Sequence, residues 1–165
     1  MADLTESGQV REGVLKALKT LEKRDSLLLT LDANERSITH KLAEYLQQEF
    51  PNMNVDCEYN RDHDHVKRLY GLGSCTTRMD DTNARTVFPD IIIHKRNSSE
   101  NLLVLEIKKQ NNPEGPENDF EKLKAYMVEL GYRYAAFVML RTGLSPGIAE
   151  PQWVQPVGQA RRSPR

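Results

Sequence analysis

The chain has only two cysteines, Cys57 and Cys75, too few for a disulfide framework or a cysteine-built metal site. A reducing cytoplasm is therefore the expected compartment. No apolar run approaches the roughly 20 residues needed to span a bilayer, so no membrane partner is expected. The opening MADLTESGQV lacks the basic-then-apolar order of a secretory leader, and none is expected. An excess of charge of one sign is also missing, since the formal net charge is −1. That argues against a protein that holds nucleic acid by a basic surface alone. It leaves room for an enzyme whose carboxylates a metal neutralises. Internal repeats are absent too.

What is present suits one globular unit: 165 residues, 38% apolar and 28% charged. A single domain is expected over residues 1–150, with its core at about 30–141 and residues 151–165 as a partly disordered tail. Val10, Val14, Leu18 and Leu21 recur at helical spacing, which predicts an amphipathic helix over 7–24 with Ser7 as its cap, packed on that core. A second helix is expected to open near Asp32 or Asn34 and to end at Phe50, before Pro51. Ile38, Leu42, Tyr45 and Leu46 define its core face, and Glu35 falls in that stripe while Glu44 points away. An inward glutamate needs a partner, so Glu35 is a candidate site residue. A first-turn glutamate favoured by the helix dipole is the plainer alternative.

Val55, Cys57 and Tyr59 alternate with Asp56, Glu58 and Asn60, as in a half-buried strand, and Glu58 is a weaker rival to Glu35. His63 and His65 have no second ligand pair nearby, so a mobile polar loop is expected there rather than zinc. Residues 71–86 read as a long loop, and Arg61 and Arg85 in these polar segments are candidate substrate contacts. A helix is expected over 118–130, capped by Asn118 or Asp119, striped by Phe120, Leu123, Met127 and Leu130, and closed by Gly131. Lys122 and Tyr126 flank that stripe, within reach of a phosphate or as a solvated edge. Residues 132–140 form a last buried strand, after which prolines break the pattern and Trp153 docks the tail.

The centre of the reading is PDIIIHKRNSSENLLVLEIKK, residues 89–109. Two β-rich apolar runs flank a polar turn, which predicts a hairpin. A symmetric turn centred near Ser98 sets Asp90 opposite Glu106, and His94 opposite Leu102. Two facing carboxylates, with Cβ atoms roughly 5 Å apart, repel unless something between them compensates. A divalent cation would do so. Along the second strand Leu102, Val104, Glu106 and Lys108 share a face, so Asp90, Glu106 and Lys108 gather at the open end. A solvated strand end with a Glu–Lys pair is the alternative.

Pro89-Asp90, a hairpin-sized gap and Glu106-Ile107-Lys108 resemble the signature of the PD-(D/E)XK nuclease superfamily. The resemblance extends across residues 34–140 in element order. It implies an α/β protein with a restriction-endonuclease-like core, a central mixed β-sheet flanked by α-helices. It further implies that Asp90, Glu106 and the Ile107 carbonyl hold Mg²⁺ or Mn²⁺, completed by water and a substrate phosphate. Lys108 would position the attacking water, Glu35 would orient a metal-bound water or second ion, and Gln110 would touch the phosphate if the strand persists. The signature leaves open whether Glu35 or Glu58 is the third acid. The function implied is a metal-dependent nuclease, on DNA ahead of RNA, acting as a homodimer or with a partner subunit. The alternative is a silent nucleic-acid- or protein-binding module of the same fold.

Overall fold

The runs Ile91-Ile92-Ile93 and Leu102 to Ile107 are apolar on both faces, so the hairpin they make must be covered from two sides. In the computed structural model it is. The structure describes residues 2–59, 61–62, 65–66, 68–69, 85–86 and 88–156, with side chains at 6–59 and 88–156. Helices α1 (Ala2–Arg24), α2 (Ser26–Thr30) and α3 (Glu35–Glu49) lead into strand β1 (Asn54–Cys57). Two small antiparallel pairs follow, β2 (Arg61–Asp62) with β3 (His65–Val66) and β4 (Arg68–Leu69) with β5 (Arg85–Thr86). Then come β6 (Ile91–His94), β7 (Asn101–Lys109), α4 (Glu117–Leu130) and β8 (Tyr134–Arg141), with β9 (Gly147–Ile148) and β10 (Gln152–Trp153) last.

The main sheet runs β1-β6-β7-β8-β10, with β9 also on β8. It is mixed, because β7 and β8 are parallel and joined through α4, while the other pairs are antiparallel. Ile91, Ile93, Leu103, Leu105, Ile107, Val138 and Leu140 pack under Val14, Leu18, Leu21, Ile38, Leu42 and Leu46 of α1 and α3. Ile92, Val104, Ala135 and Phe137 pack on the other face with Leu123, Tyr126 and Tyr132. The chain is thus α/β, a mixed sheet between helices.

The expected register holds at Ile91↔Leu105, Ile92↔Val104 and Ile93↔Leu103. It then slips, for His94 pairs with Asn101 rather than Leu102. The irregularity turns Leu102 into the α1/α3 layer instead of keeping it on Val104's face. The turn itself is tied by Lys95 N–H to the Glu100 carbonyl at 2.9 Å. Beside it, His94 Nε2 lies 2.8 Å from Asp56 Oδ2, and Arg96 Nε donates to the same oxygen at 2.9 Å.

Helix α3 begins where expected, with the Asn34 side chain accepting from Arg36 N–H at 2.9 Å. Helix α1 starts five residues earlier than the cap at Ser7 predicts, since nothing in residues 2–7 breaks a helix, and Glu6 there pairs with Arg133 at 2.6 Å. Neither Asn118 nor Asp119 caps α4. Pro116 stands at its N-cap and makes no side-chain bond. The buried face of α4 is turned toward Asp119, Leu123 and Tyr126, so Tyr126 lies inside the stripe and not beside it. Strand β10 adds to the sheet past residue 150, and Arg11 stacks on the Trp153 ring at 4.7 Å. Among the described residues no helix is long and apolar enough to cross a membrane.

Candidate functional site

Asp90 precedes β6, and its backbone still belongs to the sheet: its carbonyl accepts from Glu58 N–H at 3.2 Å. Its side chain crosses to the neighbouring strand, where Oδ2 accepts from Ile107 N–H at 2.7 Å. Ile107 therefore meets Asp90 through its amide nitrogen, while its side chain is core. Glu106, one residue before, projects to the α4 face and is only 2% exposed. Burial pushes the Asp90 carboxyl up to about 6, against the Ile107 N–H and the Lys122 charge, which favour its anion. Burial and then the charge of Asp90 push Glu106 further, to about 8. Asp90 thus acts on Glu106, while Asp90 itself is raised by burial and then by the charges of Glu35 and Asp119.

The lysine that meets Glu106 comes from α4. Lys122 Nζ lies 2.7 Å from Glu106 Oε2 and 2.9 Å from Asp119 Oδ1. Against the cost of burial, these two carboxylates hold the Lys122 ammonium well above its ordinary range. Lys108 shares Glu106's strand face, but its Nζ contacts Asp119 Oδ2 at 2.7 Å and the Gly115 carbonyl at 3.4 Å. Charges thus alternate through Lys108, Asp119, Lys122 and Glu106. Glu106 Oε1 and the Tyr126 hydroxyl are buried, and the hydroxyl lies against the Glu106 carboxyl as the neighbouring donor. Burial, followed by the nearby Glu106 charge, drives Tyr126 strongly toward its neutral form.

Glu35 reaches the same strand end from the other layer. Its Oε2 accepts from Lys109 N–H at 3.0 Å, and its charge also raises Asp90. Lys109 is pinned there, with Nζ 2.6 Å from Asp32 Oδ1 and 3.3 Å from the Ala33 carbonyl, at the turn that starts α3. Glu58, the rival acid, turns outward at a left-handed backbone angle (φ 48°) and pairs with Arg36 on the surface at 3.1 Å.

Asp90, Glu106, Lys122 and Glu35 are therefore gathered, with Lys108 joined through Asp119. Two expected contacts take other positions. Strand β7 ends at Lys109, so Gln110 lies exposed in the following turn and does not continue the Glu106 face. Tyr126 is fully buried and faces the carboxylates, so it is not an edge residue that meets a phosphate. The side chains of Arg61 and Arg85, like residues 63–64 and 70–84, lie outside the described residues. Asp119 was open to sequence reasoning only as a cap. Its buried bridging role follows from the rotation of α4, which no periodicity signals.

Mg²⁺ is commonly held by one or two carboxylates, with water and phosphate oxygens completing the shell. Asp90 and Glu106 fit that demand in number and donor type: Glu106 Oε1 is buried with the Tyr126 hydroxyl as its neighbouring donor, and burial holds both carboxyls above their ordinary range. Among the described residues no group of three or more His, Cys, Asp or Glu side chains is placed to hold a metal ion. A cation here would rest on a two-carboxylate set. No family model matches the chain, and neither a curated protein nor a solved structure matches it.

Proposed function

We propose that this chain is a Mg²⁺- or Mn²⁺-dependent nuclease that hydrolyses phosphodiester bonds of nucleic acid, DNA ahead of RNA, on a restriction-endonuclease-like core. The observation that carries the reading is the convergence of Asp90 and Glu106 at the mouth of an apolar hairpin, two desolvated carboxyls of which Asp90 raises the proton affinity of Glu106. The likeness of Pro89-Asp90 and Glu106-Ile107-Lys108 to the PD-(D/E)XK signature supports it, as does the element order from α3 to β8.

Asp90 and Glu106 would hold the ion, which when bound supplies charge neutralisation at the phosphate and a more acidic water. Asp90 is oriented for this by the Ile107 N–H. Glu35, anchored on the Lys109 N–H, stands beside Asp90 where a carboxylate orients water. Asp119 holds the Lys108 and Lys122 ammonium groups, one on each carboxylate oxygen, with Lys122 also on Glu106.

The test is incubation with circular and linear, single- and double-stranded DNA and with RNA, in Mg²⁺ and in chelator. Metal-dependent cleavage that disappears in Asp90→Ala supports the reading, and undiminished cleavage by a clean Asp90→Ala preparation refutes it.

One observation favours a second reading. Lys122 already offers Glu106 a positive charge at 2.7 Å, as in a site that has exchanged its metal for a lysine. The chain would then be a silent module binding nucleic acid or a protein. A Mg²⁺-induced thermal shift that is lost in Glu106→Gln supports the enzyme, and its absence in the wild type supports the module.

A further inference from the structure

Two lysines border the acids, and the structure treats them differently. Lys108 is 8% exposed and locked between the Asp119 carboxylate and the Gly115 carbonyl. The Lys122 side chain is 30% exposed while its ammonium still touches Glu106. Lys122 is also the lysine whose charge acts on both Asp90 and Glu106. A phosphate approaching these acids from solvent meets Lys122 first. To reach Lys108 it must part a buried ion pair, a costly step in low dielectric.

We infer that Lys122, projecting from α4, is the cation that contacts the substrate phosphate, and that Lys108 is a positioning residue that holds Asp119 against Lys122. The inference rests on the nucleic-acid reading above but not on whether the chain cleaves, since the same contact serves an enzyme and a silent module. Asp119 grips both ammonium groups, one on each oxygen, and so fixes the direction in which the Lys122 stem leaves the helix. Lysine acts here as a compact point charge, the form suited to a phosphate rather than to a base edge.

The experiment measures binding of a fluorescein-labelled duplex oligonucleotide by anisotropy across a KCl series in chelator, beside cleavage in Mn²⁺. Lys122→Met is expected to reduce the slope of log K against log salt by about 0.9, the value of one lost phosphate contact. It also slows any cleavage by about 100-fold, typical of losing one preorganised charge. Lys122→Arg keeps the salt slope and controls for folding. Lys108→Met keeps the salt slope. An unchanged slope in Lys122→Met, or the slope loss appearing in Lys108→Met instead, overturns the inference while leaving the nucleic-acid reading intact. A wild type that neither binds nor cleaves any nucleic acid overturns both.

Discussion

Lys122 and Glu106 meet at 2.7 Å although one stands on a helix and the other on the middle strand of the sheet. The pair does not bring Glu106 to normal acidity: its carboxyl stays at about 8, because burial and the neighbouring Asp90 outweigh one lysine. Glu106 is therefore a desolvated carboxyl that one lysine does not fully ionise, and a divalent ion is the kind of group that would let it ionise.

The pH dependence of stability follows from it. Asp90 and Glu106 hold their protons more tightly folded than unfolded, where they titrate near 3.8 and 4.5. The stabilisation is full below the unfolded values and is lost as pH rises through about 6 for Asp90 and about 8 for Glu106. Urea denaturation without metal should show stability falling across this window by an amount on the order of a few kcal/mol. In Glu106→Gln the upper part of the fall disappears. A wild-type curve that is flat from pH 5 to 9 contradicts the assignment.

Glu35 separates a structural from a chemical role. Its carboxylate oxygen accepts from the Lys109 N–H, so Glu35→Ala should cost on the order of 1 kcal/mol in thermal or urea melts. Glu35→Gln retains an acceptor and recovers most of that loss. If the charge serves an ion, Glu35→Gln binds Mn²⁺ more weakly at unchanged stability, which calorimetry distinguishes from a purely structural acceptor.

Gly131 tests the end of α4. It holds the left-handed conformation at φ 69°, its N–H bonds the Tyr126 carbonyl, and a Cβ there meets nothing within 4 Å. The cost of Gly131→Ala is thus backbone strain alone, about 1 kcal/mol by denaturant midpoint. A neutral or stabilising substitution contradicts the cap geometry.

The hairpin was legible because two β-rich apolar runs flank a polar turn, and a symmetric turn centred near Ser98 carries Asp90 to Glu106. The slip at His94 was not, since a bulge leaves no compositional mark in NSSENL. The α3 core face was equally plain, as Ile38, Leu42, Tyr45 and Leu46 are all buried. The buried face of α4 departs from the Phe120, Leu123, Met127 and Leu130 stripe because it carries Asp119, a charged side chain that hydrophobic periodicity counts as outward, and is turned toward Tyr126. They are inward because Glu106 and Lys108 need partners there. Strands β9 and β10 are two residues each and owe their form to the edge of β8 that β7 leaves free, which no local pattern encodes.

The most direct measurement is calorimetric titration of Mn²⁺ into the wild type, Asp90→Ala and Glu106→Gln at pH 8. Binding by the wild type that is lost in both variants is the predicted result. Identical heats in all three proteins, or no binding by the wild type at any pH between 6 and 9, contradict the claim that a cation belongs between these two acids.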